Sequence, residues 1–312
     1  MTVFVYAVMA LGVVIFVTAT AARAVQYARS PMHLRWELYP VPHERPDRAA
    51  HGGSYFEQSE WWREARQPNF RGELAVMLRE MLFLKALREF NRGLWLRSFP
   101  FHFGLYLVAA AAAGVLTLAV ITIAGGGEWI GRPAGRALVT LVGACGAAGL
   151  LLAVGGALAL LLRRLRDPSL LSYSSAGDFF NLSFFIVAFT VLGIGYATRP
   201  DGSPGALGIV LGLLRWNPAA PIPALLSAGV ILSALLLAYI PLTHMSHFVG
   251  KYFTYHAVRW DDVPLTERRR MRTALSAHLA HRPTWAATHM RGRGDGTWKD
   301  VVATNPSREN AP

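Results

Sequence analysis

The chain has 312 residues, of which 53% are apolar and 16% charged; a soluble domain carries about a quarter charged residues. Its formal net charge is +12, but the positive residues sit in loops between long apolar runs, so the excess is not a nucleic-acid signature. The single cysteine, Cys145, excludes an intramolecular disulfide and an iron–sulfur cluster, and the lack of a Cys-x-x-Cys-His motif excludes covalently attached haem.

Five runs are almost free of charge and long enough to cross a bilayer, which takes roughly 20 residues. They fall at about 2–22, 102–124, 137–162, 178–198 and 222–248. Segments 23–101, 163–177 and 249–312 hold 13, 3 and 11 Lys or Arg, against four in the two other connections. Positive loops stay cytoplasmic, so the amino terminus is expected outside and the carboxyl terminus inside. The first run has no basic residue before it, and Arg23 and Arg29 follow it, so it reads as an uncleaved span rather than a signal peptide. The expected fold class is all-α integral membrane with five transmembrane helices. Its divisions are span 1 (1–25), a cytoplasmic loop with an amphipathic helix (26–101), spans 2 to 5 (102–248) and a cytoplasmic tail (249–312). The expected location is the cytoplasmic (inner) membrane of the cell.

In chain order, the prolines and mixed charge of Ser30 to Glu44 forbid a long helix. This stretch reads as an ordered loop near the headgroups, with Trp36 and Tyr39 as interfacial anchors and His33 and His43 either solvated or ligating. Residues 72–97 read as one amphipathic helix: Leu74, Met77, Leu78, Met81 and Leu82 recur at three-and-four spacing, with Arg79, Lys85, Arg88 and Arg92 interleaved. Such a helix either lies in the membrane surface or packs on the protein's own loops.

The second span is expected to open with Ser98 as a cap and Pro100 in its first turn, which puts His102 at the cytoplasmic edge. The alanine run Ala109 to Ala113, Gly114, and Gly143, Gly146, Gly149, Gly155 and Gly156 of the third span would let helices approach closely, or leave room for a flat cofactor. Asp178 and Asn181 share a face at the start of the fourth span, where an Asp serves as a cap or in a functional role. A continuous helix over 222–248 would be about 40 Å long, placing His247 near the inner interface and His244 about one turn deeper. The tail from Trp260 is basic at Arg268, Arg269, Arg270 and Arg272 and reads as soluble, either docking a cytoplasmic subunit or disordered.

Of ten histidines, only His102, His244 and His247 fall within or at the ends of spans. Ionisable groups there are costly and mark function. The second span runs outward and the fifth inward, so all three meet at the cytoplasmic side. Histidine nitrogens on facing helices are what a haem iron takes; interfacial histidines bonded to backbone or headgroups are the competing reading. Zinc is disfavoured because no thiol or carboxylate accompanies them. A transporter is disfavoured because no span carries a mid-membrane charge or a broken-helix pattern.

Three stretches, His33-Leu34-Arg35-Trp36-Glu37-Leu38-Tyr39-Pro40, Asn91 to Gly104 (NRGLWLRSFPFHFG) and Thr243 to Asp262, carry a resemblance. The chain resembles the membrane cytochrome b family of the respiratory nitrate reductase gamma subunit, and within it the Dsr, Tmc and Hmc membrane subunits of sulfate-reducer-type complexes. The resemblance spans nearly the whole chain. It implies an electron-transfer subunit of a quinone-linked oxidoreductase complex, working between menaquinone and a cytoplasmic iron–sulfur partner similar to heterodisulfide reductase. It implies an inner haem b with His102 as one axial ligand and, six residues past Pro241, His247 as the other, His244 being the alternative. Arg97 is a candidate partner for a haem propionate. The positions of the family's outer haem ligands hold Ala112 and Gly229, so one haem b is expected rather than two. The rival expectation is a haem-free membrane anchor that tethers a cytoplasmic enzyme.

The charge asymmetry makes a direct prediction. Alkaline phosphatase fused after Asp201 should be active and after Asp167 inactive; the reverse pattern would invert the assigned orientation.

Overall fold

The computed structural model describes residues 1–30, 70–218, 220–253, 268–283 and 296–303. The loop of His33, Trp36, Tyr39 and His43 lies outside these residues, as does most of the stretch after Phe253. The described helices are α1 (Thr2–Arg29), α2 (Phe70–Phe83), α3 (Lys85–Phe90), α4 (Arg92–Ile121), α5 (Gly127–Gly131), α6 (Pro133–Arg166), α7 (Pro168–Ser172), α8 (Ala176–Ala197), α9 (Ala206–Leu214), α10 (Ala224–Tyr239), α11 (His247–Phe253), α12 (Arg269–Leu279) and α13 (Trp298–Ala303). No strand occurs among the described residues. Five helical segments are long and apolar enough to span a membrane: Thr2–Arg29, Arg92–Gly131, Pro133–Arg166, Ala176–Ala197 and Ala224–Leu242. The chain is an all-α, multi-pass membrane protein.

The chain divides into two compact units. The first is Met1–Thr20 with Leu78–Ser246, the second Ala21–Met77 with His247–Pro312. In the first unit α4 packs along α6, α6 on α8, and α8 on α10. Phe101, Ala153, Ala157, Phe185, Ala188, Phe189 and Leu236 form the core at one end of these helices. Val5, Tyr6, Ile209, Ile222, Leu226 and Val230 form a second core at the other end. The remaining apolar surface of the spans points outward, for example Leu11, Val14 and Val17 of α1 and Leu151 of α6, as a lipid solvent requires.

Small residues set the spacing of these helices. A Cβ added to Gly156 would lie 2.4 Å from the Phe101 backbone nitrogen, and one on Gly104 would lie 2.4 Å from that of Ala153. Gly149 meets the Val108 backbone in the same seam. These glycines therefore serve backbone-to-backbone contact between α4 and α6, which in lipid supplies dispersion energy that no hydrophobic effect would. At these three glycines the space is taken up by the facing backbone. Gly229 likewise lies against Leu192, where a Cβ would come within 2.5 Å of its Cα, so one of the two positions expected to lack an outer haem ligand is occupied by the α10–α8 contact.

Several expected elements are revised. The amphipathic segment 72–97 is not one helix. Leu84 adopts a left-handed backbone (φ 49°, ψ 52°), which separates α2 from α3, and Asn91 breaks the chain again and caps α4 by accepting from the Leu94 amide at 3.0 Å. The second span thus begins at Arg92. Ser98 is no cap, and Pro100 lies inside the helix rather than in its first turn. Proline costs such a helix one backbone bond, which transmembrane helices tolerate. The same span is bent by the π-type turn Thr122–Gly126, where Gly125 takes φ 92°, a conformation that favours glycine.

The fifth span is shorter than expected. Regular α-helix stops at Tyr239 and passes into two 3₁₀ turns, Ile240–Leu242 and His244–Ser246. Pro241, without an amide hydrogen, stands where the helix would have continued. His244 therefore lies beyond the helix end rather than one turn inside a continuous helix. The connection between α8 and α10 contains the short apolar helix α9, whose Ile209 is 2% exposed.

In the second unit the rings of Tyr27 and Phe253 are 5.8 Å apart, tying the end of α1 to α11. The basic tail contains α12, and the amide of Trp298, the first residue of α13, donates to the His281 carbonyl at 2.9 Å. Asp300 accepts from the Thr297 amide and hydroxyl, and these bonds hold its carboxyl below the ordinary carboxylate range.

Adjacent glycines test the helix seam. Gly156→Ala should destabilise the detergent-solubilised protein by about 1–3 kcal/mol through overpacking. Gly155→Ala, which meets open space, should be neutral or stabilising by up to about 1 kcal/mol. Thermal unfolding of the two variants checks this.

Candidate functional site

Ser98, Asn181 and Ser246 are buried at one end of the first unit, where α4 begins, α6 ends, α8 begins and α10 ends. This is the end that the loop charges assign to the cytoplasm.

His102 sits in the third turn of α4. Its Nδ1 lies 2.8 Å from the Ser98 carbonyl oxygen and 3.3 Å from the Ser98 hydroxyl. A carbonyl can only accept, so Nδ1 carries the proton and the lone pair resides on Nε2. Ser98 itself is buried. The neighbouring Phe101 packs its ring edge-on to the imidazole at 5.3 Å and to Phe185 of α8 at 5.1 Å. The ring of His102 is thus oriented by its own preceding turn and by the aromatic core beside it.

His244 belongs to a different network. Its Nε2 is 3.2 Å from the Asn181 amide nitrogen, and the Tyr239 hydroxyl donates to the Asn181 amide oxygen at 2.9 Å. With the oxygen engaged by Tyr239, the amide nitrogen donates to His244, and Nε2 of His244 acts as acceptor. Asp178 lies 4.0 Å from the same ring nitrogen and 3.5 Å from Arg164, which also donates to Ser174 at 2.8 Å. Asp178 closes a capping box with Ser175 at the start of α8, its carboxylate accepting from the Ser175 amide and hydroxyl. Asp178 therefore serves both as cap and as the ion-pair partner of Arg164, while the accepting Nε2 of His244 lies near it without a bond to it. Asn181 is 6% exposed whereas the His244 side chain is 66% exposed, so the network runs from the core to the surface. The rings of Phe180, Phe184 and Tyr239 pack tilted or edge-on against one another, their centroids 5.6 to 5.8 Å apart.

The other two expected site residues are His247 and Arg97. His247 opens α11 in the second unit and is exposed. Arg97, on α4, donates to the Gly93 carbonyl one turn back. It lines an open cleft of about 550 Å³ with Arg163, Arg166 and Asp167 from the end of α6. Five residues separate Arg97 from His102, a rotation of about 140° around a helix of 3.6 residues per turn, so the two point to different sides of α4. Among the described residues no group of three or more His, Cys, Asp or Glu gathers as for a metal ion.

Arg164, Tyr239 and Asn181 are the residues that spacing alone does not combine. Asn181 and Asp178 were visible as a pair on one face, but Tyr239 and Arg164 come from other helices and carry no local signal. No family model, curated protein or solved structure matches the chain.

Tyr239→Phe should leave the buried Asn181 amide oxygen without its donor. The expected cost is about 1–3 kcal/mol, read as a lower unfolding midpoint in detergent, with His244→Ala costing less because that side chain is largely exposed.

Proposed function

We propose that the chain is a membrane cytochrome b subunit that passes electrons between menaquinone in the bilayer and a cytoplasmic iron–sulfur protein similar to heterodisulfide reductase. It would hold one haem b. The observation that carries this reading is the state of His102, whose proton is committed to the Ser98 carbonyl on Nδ1 and whose Nε2 lone pair is the one that axial ligation uses. A hydrogen bond from the distal nitrogen also fixes ring orientation and raises ligand basicity, a common arrangement for metal-bound histidine.

His247 is the second ligand in this reading. His244 is the weaker choice, because its Nε2 already accepts from Asn181 within a network anchored by Tyr239 and Asp178. Its role is then to hold the turn that follows the fifth span against α8 through Asn181. The haem supplies one-electron transfer when bound. The chain's own contribution is to orient the His102 imidazole through Ser98 and to pack Phe101 beside it. The contact of Gly229 with Leu192 supports a single haem, since it fills an outer position with helix packing.

A second reading, a haem-free anchor for a cytoplasmic redox enzyme, is favoured by the Arg164–Asp178–His244–Asn181–Tyr239 network, which satisfies its own polar groups without a cofactor.

A reduced-minus-oxidised optical spectrum with haem stoichiometry separates the two. One b-type haem per chain is expected, lost in His102→Ala and His247→Ala and retained in His244→Ala. A folded preparation without haem would leave the anchor.

A further inference from the structure

Three arginines line the cleft beside α4 and α6, and the redox reading gives a role to Arg97 alone, as a candidate haem-propionate partner. Arg97 comes from α4, and Arg163 and Arg166 from the last turn of α6, where i and i+3 share a face. Arg164, between them, turns to Ser174 and Asp178 instead. The one carboxylate in the cleft is already engaged. Asp167 accepts from the Ser169 hydroxyl at 2.6 Å and from the Ser169 and Leu170 amides, capping α7. The Ser169 hydroxyl bond, the two amides and the nearby Arg163 hold its carboxyl below the ordinary carboxylate range. Among the described residues neither Arg97 nor Arg166 forms an ion pair. The cleft is therefore net cationic at the depth where a helix leaves the bilayer.

Ala159 and Leu162 add apolar surface to the same cleft. Leu162 lines the cleft, and Leu151, Leu158, Leu162 and Leu165 of α6 are all exposed, Leu151 at 76%. Their spacings of seven, four and three residues put them on one side of the helix. A cationic pocket at the membrane edge therefore continues into an exposed leucine track running toward the bilayer centre.

The geometry points to a binding site for one anionic phospholipid, its phosphodiester held by Arg97, Arg163 and Arg166 and an acyl chain lying along Leu162, Leu158 and Leu151. The phosphodiester matches the planar donor fork of arginine, and basic pockets between helices on the cytoplasmic side suit anionic headgroups. Inorganic phosphate shares the headgroup chemistry but has no use for the leucine track, so the lipid is the favoured source. A zwitterionic lipid would bring a cation into a pocket that is already positive. The inference requires the membrane-spanning fold and is independent of haem.

The full chain, purified in mild detergent, is titrated with phosphatidylglycerol, phosphatidylcholine or inorganic phosphate. Bound lipid is counted by intact-protein mass spectrometry and the unfolding midpoint is followed in parallel. Phosphatidylglycerol should be retained about tenfold or more over phosphatidylcholine. The double variant Arg163→Gln/Arg166→Gln should lose that preference, with retention down roughly thirtyfold for two arginines removed, while its midpoint in detergent without lipid stays near that of the parent. Leu158→Asn/Leu162→Asn should weaken phosphatidylglycerol retention with the arginines intact. Equal retention of the two lipids, an unchanged preference in the arginine variant, or a midpoint shift by millimolar inorganic phosphate equal to that by phosphatidylglycerol would each overturn the lipid site. If the arginine variant unfolds, Arg163→Lys/Arg166→Lys replaces it. That variant keeps the charge but lacks the fork, and it should show a reduced, not abolished, preference; full retention or none would count against the site.

Discussion

The backbone contact between α4 and α6 governs what this molecule can place at its polar end. At Gly156 the two helices approach so closely that a single methyl group would collide with the amide of Phe101. Phe101 is the residue before His102, and its ring contacts both that imidazole and Phe185. The helix seam, the aromatic core and the histidine orientation are therefore one mechanical unit. In lipid, where burying apolar groups between helices gains little, such contacts come from shape and dispersion. A small residue next to a functional one is then a positioning device as much as a packing device.

The same economy appears in how the chain handles charge. The last turn of α6 carries three arginines, each favoured by the negative end of the helix dipole. Arg164 is drawn into the bundle by Asp178 and Ser174, and Asp178 lies beside His244, which with Tyr239 bonds Asn181. Arg163 and Arg166 face the cleft with Arg97. One residue of rotation thus separates a self-neutralised network from an open cationic surface. Partly buried ion pairs stabilise a fold mainly when every partner is satisfied, and the Asp178 capping box supplies the additional bonds that the carboxylate needs.

Much of the fold was legible in the sequence because a bilayer reads composition. Runs without charge over some twenty residues must be helical to satisfy their own backbone, and all five spans are present. Their ends were less legible. Ser98-Phe99-Pro100 looks like a helix start, but Asn91 supplies a side-chain cap seven residues earlier, and lipid-soluble helices accept an internal proline. Pro241 looked like part of a long fifth span, yet it ends the regular helix and moves His244 into a 3₁₀ turn. The candidate site was legible only in part. Histidines announce themselves in an apolar run, whereas Arg164 and Tyr239 acquire meaning only through α8, which joins residues 58 and 63 positions apart. The short helix α9 was hidden because an apolar segment of nine residues is too brief to signal a span.

The distribution of polar groups constrains any role for this chain. Within the spans, hydroxyls such as those of Thr18, Thr117 and Thr140 turn back to carbonyls of their own helices. They thereby satisfy themselves and contribute no polar chain across the bilayer. A polar network that reaches between helices, from Arg164 to Tyr239, sits at one end together with the arginine cleft. A protein arranged in this way has the means to hold a cofactor or a lipid at one face of the membrane. Electron exchange with a quinone at the opposite face would need a second redox centre, and the contact between Gly229 and Leu192 fills one of the places where such a centre would be expected. If the redox reading holds, the quinone has to be met from the same end as the histidines. Reduction, proton exchange and partner contact would then share one face, and the oriented imidazole of His102 would lie between the bilayer and the cytoplasmic protein.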